Sequence, residues 1–211
     1  MLKLRDGIVE LYKKAATSIP TDVENALKNA YNIETEPQAK EYLNIILQNI
    51  SFARKNSRPI CQDTGFPVFF VMAPKCLNHK LIKEVIIDAT KVATEKIPLR
   101  PNAVDVISEK NTGNNLGDFF PLIYIEESEE ESLIIDLMLK GGGCENLSKT
   151  YKLPTAFQYN NHLITAERDF DGIKKCVLDA VIDAQGKGCP PYTIGIGIGG
   201  AKDQISFLAK K

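Results

Sequence analysis

The hydrophobic pattern of this 211-residue chain changes once, shortly before residue 60, and this change constrains the fold more than any other feature. Before the change, apolar residues recur at helical spacing, as in Leu4, Ile8 and Leu11. After it, short apolar runs that are typical of buried strands alternate with helical stretches. We therefore expect an α+β fold, with an N-terminal helical region over residues 1–57 and a mixed β-sheet flanked by helices over residues 58–211.

The individual elements follow from the same periodicity. Helices are predicted over about residues 3–17, 21–31, 37–55, 82–98 and 173–184, with a further helix from Asp203. Strands are predicted over residues 66–72, 121–126, 133–139 and 192–198. Thr21 and Glu24 have the spacing of a capping box, which predicts Thr21 as the N-cap of the second helix.

The composition is that of an ordinary globular domain, with 44% apolar and 25% charged residues. A length of 211 residues suits one large domain, and we expect a single domain over residues 1–211. The net charge of −1 gives no reason to expect nucleic acid or an anionic membrane as a partner. No apolar run reaches the 18 residues of a membrane span, and the charged N-terminus is unlike a signal peptide, so we expect a cytoplasmic protein.

Three of the five cysteines lie in turn-like segments rich in glycine or proline. Cys61 begins Cys-Gln-Asp-Thr-Gly, Cys144 follows Gly141-Gly142-Gly143, and Cys189 precedes Pro190-Pro191. Glycines without Cβ atoms let the backbone approach a ligand closely and take positive φ. Because disulfides are rare in the cytosol, these three cysteines predict a thiolate-ligated metal centre. Cys176, on the apolar face of a helix, and Cys76, without a glycine neighbour, are interpreted as structural.

Two kinds of metal centre suit three thiolates: zinc and an iron–sulfur cluster. Structural zinc sites usually combine closely spaced cysteine pairs with four protein ligands, whereas these cysteines stand 83 and 45 residues apart. A cubane cluster held by three cysteines leaves one iron open to a substrate as a Lewis acid. The spacing alone leaves both centres open. The glycines of residues 195–200 do not have the dinucleotide-binding spacing and are not interpreted as a nucleotide site.

Five motifs occur in an order that resembles class I fumarases and L-tartrate dehydratases. They are Cys-Gln-Asp-Thr-Gly from residue 61, Arg-Pro-Asn-Ala-Val from residue 100, Asn-Thr-Gly from residue 111, Gly-Gly-Gly-Cys from residue 141 and Cys-Pro-Pro from residue 189. The resemblance runs from about Leu4 to the last residue and is closest to the α subunit of the two-subunit form. It implies a hydro-lyase, with fumarate hydration as the main expectation and tartrate dehydration as the alternative.

The resemblance also implies a [4Fe–4S] cluster and a set of site residues. Cys61 and Cys189 are implied as cluster ligands. Cys144 is the best third candidate within the chain, and a cysteine beyond Lys211 is the alternative, because many relatives carry a serine directly after the three glycines. The remaining implied residues contact the small dicarboxylate substrate, with Asp63 as the catalytic acid or base: Gln62, Asp63, Arg100, Gly113, Gly141, Gly142 and Gly143.

The resemblance further implies a hetero-oligomer in which this α subunit becomes active only with a β subunit. Because α subunits of the family usually continue further, we expect the chain to be short at its C-terminus. Hypotheses of another class are a non-catalytic zinc-binding module and a cluster-based redox or iron sensor.

Overall fold

The computed structural model describes all residues, 1–211, and the chain divides into two compact units, Met1–Gly141 and Gly142–Lys211. Helices precede a mixed sheet, which confirms the predicted α+β class. The expectation of a single domain over residues 1–211 stays a prediction. None of the helices combines the length and the apolar character that crossing a membrane requires.

The first unit holds four helices and a three-stranded sheet. Its elements in chain order are α1 (Leu2–Thr17), α2 (Thr21–Ile33), α3 (Pro37–Asn56), β1 (Phe66–Pro74), α4 (His79–Lys96), β2 (Leu122–Ser128) and β3 (Ile134–Lys140). The strand order is β2-β1-β3, with β1 parallel to β2 and antiparallel to β3. The two outer strands therefore both pair with β1, and the acidic segment between them does not form a hairpin.

The core of this unit lies between the sheet and helices α1 and α4. Phe69 and Val71 point from β1 into it, which agrees with the two-residue repeat of a strand. Tyr12 of α1 meets the edge of the Phe69 ring at 5.7 Å, and its hydroxyl hydrogen-bonds to Oγ1 of Thr90 in α4 over 2.8 Å. Burial raises the pKa of Tyr12, so this hydroxyl stays protonated. The resulting core holds the ends of β1 and β3 in fixed positions.

The second unit contains three helices and a hairpin. Its elements are α5 (Gly142–Asn146), β4 (Thr155–Tyr159), β5 (His162–Ala166), α6 (Phe170–Ala184) and α7 (Lys202–Leu208). β4 and β5 pair antiparallel from Thr155 opposite Ala166 to Tyr159 opposite His162. Cys176 of α6 is buried, which confirms its interpretation as a core residue.

Three details of the predicted elements are wrong. Residues 192–198 form no strand and have no paired neighbour; Gly195 lies against the backbone of Ala209, the C-cap of α7, and Gly197 against that of Ile205 in α7. The hairpin of β4 and β5 was not predicted. Thr21 is the first residue of α2 and makes no side-chain cap bond, because Pro20 occupies the N-cap position.

Candidate functional site

The Cys61 loop (residues 57–65) leads from α3 to β1. Hydrogen bonds to α3 and α1 hold its backbone at Arg58 and Ile60. Ser57 adopts the left-handed conformation at the end of α3, and the N–H of Arg58 donates to the carbonyl of Ala53. Ile60 is held twice: its N–H donates to Ala16 O over 3.0 Å, and its carbonyl accepts from the Asn49 side chain. Cys61 follows directly and is exposed, so its thiol faces solvent from a fixed backbone.

Gly65 fixes the other end of the Cys61 loop against β3. It has φ +81°, and a Cβ built on it would lie 2.8 Å from the backbone carbonyl of Lys140. Its N–H donates to Oδ1 of Asp63 over 3.2 Å, so this carboxylate closes the turn that follows Cys61. The other carboxylate oxygen lies near Gly141, since a Cβ built there would be 3.6 Å from it. Asp63 and Gly141, two predicted site residues, are therefore neighbours within this unit.

A network of amide side chains joins the segment that carries Arg100 to the Cys61 loop. The N–H of Arg100 donates to Oγ1 of Thr64 over 3.0 Å, and the Asn102 side chain donates to the carbonyl of Gly65 over 2.9 Å. Asn115, which is 4% exposed and has φ +58°, donates to the carbonyl of Arg100 and accepts from the N–H of Asn102. The motifs beginning at residues 61 and 100 thus form one bonded substructure.

The Asn-Thr-Gly turn belongs to the same substructure. Asn111 donates from its side chain to the carbonyl of Pro101, and Thr112 donates from its N–H to the carbonyl of Ala103. Gly113 has φ +77°, and its N–H donates to Oδ1 of Asn111 over 2.8 Å. Because the Gly113 N–H already donates to Asn111 within the turn, it is not available to donate to a substrate.

An open cleft of about 730 Å³ lies between the Cys61 loop and the segment around Arg100. Arg100, Gln62 and Cys61, all predicted site residues, line it together. Asp63 is not among the lining residues, which are Arg58, Pro59, Ile60, Cys61, Gln62, Pro98, Leu99 and Arg100. The cleft thus contains two cations and no carboxylate, which makes it suited to an anion.

The Gly-Gly-Gly-Cys segment differs from the loop expected for it. None of its three glycines has positive φ; Gly142 and Gly143 instead begin the one-turn helix α5. Cys144 lies in that turn and is half-buried. The next residue, Glu145, accepts from the Lys210 side chain over 2.6 Å, which ties the turn to the chain end.

Cys189 lies in the segment after α6 and is exposed. Its neighbour Gly188 is packed closely: a Cβ there would lie 2.7 Å from the Leu147 side chain and 3.1 Å from the Tyr192 ring. Tyr192 accepts from the N–H of Gly188 and donates to the carbonyl of Gln185, which closes the segment into a loop. Since Leu147 follows Cys144 by three residues, the loops that carry Cys144 and Cys189 adjoin within the second unit.

The donor chemistry of the three candidate ligands suits a thiolate-bound centre. None of the five cysteines forms a disulfide, and Cys61, Cys144 and Cys189 each have access to solvent. No three side chains of histidine, cysteine, aspartate or glutamate form a group that could hold a metal ion. The convergence of the three cysteines on one centre therefore stays a prediction. Cys76, interpreted as structural, is exposed on the turn after β1, whereas burial raises the pKa of the Cys176 thiol.

A cluster of charged and polar side chains in the second unit joins Lys149 and Tyr151 to Asp179 and Asp183 of α6. Tyr151 donates to Asp179 over 2.6 Å, and Lys149 lies 3.2 Å from the same carboxylate. Burial and the Asp179 charge raise the pKa of Tyr151. For Lys149 burial opposes the charge, yet Asp183 and Asp179 raise its pKa overall. Because these groups pair with one another, they stabilise α6 without leaving a free group for catalysis.

Sequence reasoning passed over two groups that shape this site. Asn102 and Asn115 hold the segment around Arg100 in place through side-chain hydrogen bonds. The sequence signal for them is the clustering of asparagines in a stretch without hydrophobic periodicity. Arg58 lines the cleft, yet nothing in a single sequence distinguishes an arginine after a helix from an ordinary solvated side chain.

Comparison with known proteins finds relatives that are named as fumarate hydratases or as tartrate dehydratase α subunits. One relative, from Geobacillus stearothermophilus and provisionally named a class I fumarate hydratase, is 42% identical over 100% of this chain and 41% of its own length. Another, from Methanocaldococcus jannaschii and provisionally named an L(+)-tartrate dehydratase subunit alpha, is 38% identical over 100% of this chain and 72% of its own. The L(+)-tartrate dehydratase subunit alpha of Escherichia coli K12 is 28% identical over 99% of this chain and 66% of its own.

The chain thus spans less than half of the first relative and about two thirds or more of the α subunits. A family model described as fumarate hydratase (Fumerase) matches residues 5–211, which include every motif discussed above. This chain therefore belongs to the fumarate hydratase family.

Proposed function

We propose that the chain is the α subunit of an iron–sulfur hydro-lyase that reversibly hydrates fumarate to malate. The observation that carries this proposal is the cleft in which Arg100, Gln62 and Cys61 share the walls. It supplies cationic and amide groups beside a thiol and contains no carboxylate of its own. A small dicarboxylate fits this chemistry, because guanidinium groups bind carboxylates through two parallel hydrogen bonds.

The reaction needs a proton to be moved next to a substrate carboxylate. Asp63 is the candidate acid or base, since it follows Cys61 by two residues and lies against Gly141. Arg100 would orient one carboxylate, and the Gln62 amide would hydrogen-bond to the substrate. Gly141, Gly142 and Gly143 are the remaining proposed substrate-binding residues, because glycines without Cβ atoms let a ligand approach the backbone closely.

We further propose that Cys61, Cys189 and Cys144 hold a [4Fe–4S] cluster, with a cysteine beyond Lys211 as the alternative third ligand. The absence of a disulfide at these three cysteines and the adjoining loops of Cys144 and Cys189 support this ligand set. When bound, such a cluster supplies a Lewis acid for a substrate hydroxyl. The positioning of the dicarboxylate and the transfer of the proton would still fall to the protein.

A β subunit is the proposed partner, because two of the relatives are named as alpha subunits. The proposal is therefore a hetero-oligomer that is active only when both subunits are present. None of the five cysteines forms a disulfide, which fits a reducing compartment, and we propose the cytoplasm.

Tartrate dehydration is the second candidate function. It is favoured by one observation: two of the relatives, 38% and 28% identical to this chain, are named as L(+)-tartrate dehydratase subunit alpha, the first of them provisionally. Fumarate and tartrate share two carboxylates and differ in the hydroxyl groups between them. The cleft residues named above give no basis for choosing between the two substrates, so activity measurements decide between them.

The test combines cluster content with activity. The chain is purified anaerobically, reconstituted with iron and sulfide, and assayed with fumarate and with tartrate, alone and with its co-expressed β subunit. We expect iron and sulfide in the chain, and turnover of one substrate only when the β subunit is present. Zinc without sulfide would contradict the proposal in favour of a binding module, and a reversible redox signal without turnover would favour a sensor.

Cysteine variants test the ligand set separately. Cys61→Ser and Cys189→Ser should each lose the visible absorbance of the cluster. Cys76→Ser is the matched control, because Cys76 is also an exposed cysteine on a turn but has no glycine neighbour. Retention of a full cluster by Cys144→Ser would remove Cys144 from the ligand set and favour a cysteine beyond Lys211.

A further inference from the structure

We propose that the outer edge of β3 pairs with the same strand of a second copy of this chain, which joins two three-stranded sheets into one. β3 (Ile134–Lys140) is an outer strand of its sheet, and all of its residues pair with β1. No other segment of the chain forms a hydrogen bond with this strand. Its outer edge therefore presents unpaired backbone N–H and C=O groups, which can bind a further strand. The inference does not depend on the proposed function.

The two outer strands of the sheet differ in how they would meet a second copy. β2 carries Glu126 and Glu127 near its end, and three further glutamates follow at residues 129–131. Acidic side chains on an edge strand repel an approaching copy, which is a common protection of natural sheets. β3 carries five apolar residues and one charge of each sign. Self-pairing is therefore disfavoured at β2 and permitted at β3.

The alternation of side chains along β3 limits the possible registers. Leu137 and Leu139 pack against the core on the side of α1 and α4, so Asp136, Met138 and Lys140 lie on the opposite face of the sheet. Residues directly opposite each other in an antiparallel pair share a face. A two-fold axis that passes through a residue keeps the two core faces together, whereas an axis between two residues would place them on opposite sides.

Charge complementarity selects one of the remaining registers. With the axis at Met138, Asp136 of each copy lies opposite Lys140 of the other, and Leu137 lies opposite Leu139. With the axis at Asp136 two carboxylates would face each other, and with the axis at Leu137 both charges would face apolar residues. Cross-strand pairs of opposite charge stabilise a sheet, and like charges directly opposite each other destabilise it.

Both charged residues are available for these pairs. Neither Asp136 nor Lys140 takes part in an ion pair or a side-chain hydrogen bond within the chain. Asp136 is exposed and Lys140 is half-buried. The two-fold axis repeats each contact, so one dimer contains two such ion pairs. Because the pairing occupies β3 and the other edge is acidic, assembly closes at two copies.

The pairing is short, and its length sets the expected strength. Residues 136–140 of each copy bury less surface than a standard protein interface does. We therefore expect a dimer that dissociates on dilution in the micromolar range.

Sedimentation velocity of the full chain over a dilution series tests the proposal. A reducing agent is present, so that the exposed cysteines do not link copies through disulfides. We expect dimers at high concentration and monomers at low concentration. Asp136→Lys and Lys140→Asp each turn both attractive pairs into repulsive ones and should weaken self-association by about 10- to 100-fold. An equimolar mixture of the two variants should recover the association of wild type, because each variant supplies the charge that the other needs.

Glu127→Lys is the matched control. It makes the same change of charge on the other outer strand of the sheet and should not weaken self-association. Circular dichroism of all three variants verifies that the fold is intact.

Three outcomes would overturn the pairing. A wild-type chain that stays monomeric up to about 0.5 mM, far above the expected dissociation constant, would show that β3 does not self-associate. A mixture that fails to recover, although each variant alone is monomeric, would contradict the pairing of Asp136 with Lys140. A dimer that persists in both variants but is lost in Glu127→Lys would assign the contact to β2.

Discussion

The N–H of Arg100 donates to Oγ1 of Thr64 over 3.0 Å, although 36 positions separate the two residues in the chain. This bond joins the segment with the candidate substrate arginine to the loop with the candidate ligand Cys61. Both residues belong to loops outside the hydrophobic core, so the bond fixes the Arg100 segment relative to the Cys61 loop. Its loss should therefore affect binding more than folding.

Thr64→Val keeps the shape of the side chain and removes the hydroxyl acceptor. Because Arg100 is exposed, water can satisfy the freed N–H, and we expect a loss of only about 1 kcal/mol or less in the free energy of unfolding. The KM for the dicarboxylate should rise while kcat changes little, since the arginine is displaced but still present. Steady-state kinetics of the assembled enzyme and denaturant unfolding measure the two effects.

Thr64→Ser is the control for that variant, because it keeps the hydroxyl and should bind substrate like wild type. A Thr64→Val enzyme with an unchanged KM would contradict the positioning role of the bond.

Gly65→Ala should be among the most destabilising single substitutions in the first unit. Its Cβ would lie 2.8 Å from the Lys140 carbonyl, where only backbone could move, and the residue has φ +81°. We expect a loss above about 2 kcal/mol, the sum of a left-handed conformation and a steric clash. Gly113→Ala is the matched variant, with φ +77° but no atom within 4 Å, and should lose only about 1–2 kcal/mol. Equal losses in urea unfolding would show that the contact with Lys140 is unimportant.

The structure explains why some elements were predictable from the sequence and others were not. Helices such as α4 bury a regular face of Ile82, Val85, Ile86 and Ala89, so their periodicity reports their environment directly. Residues 192–198 also have the alternation of a strand, with Gly195 and Gly197 between isoleucines. In the structure these glycines lie against the last turn of α7 and its C-cap Ala209, and no neighbouring strand pairs with the segment. Pairing depends on a partner, which a local pattern does not identify.

The hairpin of β4 and β5 has a sequence signal in its turn residues and not in its hydrophobic periodicity. Asn160 and Asn161 both take positive φ, as the two central residues of a tight hairpin turn require. For the site, the motif residues were predictable, but their mutual arrangement was not. That Arg100 is bonded to Thr64, and that Asp63 lies against Gly141, depends on contacts between segments far apart in sequence.

The ion pairs of Glu24, with Lys28 in the same helix α2 and with Arg54 in α3, predict a pH-dependent stability. Hydrogen bonds from Arg54 and Lys28 lower the pKa of Glu24 from 4.5 to about 2. A carboxyl whose folded pKa is lowered stabilises the fold above its unfolded pKa, and this contribution disappears as the pH falls through the folded value. The difference in unfolding temperature between wild type and Glu24→Gln should therefore be constant near neutral pH and shrink between about pH 4.5 and 2.

Glu41→Gln provides the comparison for Glu24, because Glu41 is an exposed residue of α3 outside these ion pairs. Its unfolding temperature should follow that of wild type at every pH. A Glu24→Gln difference that stays constant down to pH 2 would rule out the ion pairs as its source.

Asp63→Asn separates catalysis by this residue from its part in the turn. The asparagine oxygen can still accept from the Gly65 N–H, so the Cys61 loop should keep its shape, while the ability to exchange a proton is lost. If Asp63 is the acid or base, the assembled enzyme should lose about 10²- to 10⁴-fold in kcat with little change in KM. Arg100→Lys, which keeps the charge but loses the fork, should instead chiefly raise KM. Neither variant removes a thiol, so iron and sulfide content, measured beside the kinetics, should match wild type. A full cluster with near-normal kcat in Asp63→Asn would limit Asp63 to closing the turn after Cys61, and the proton would then have to be moved by another group.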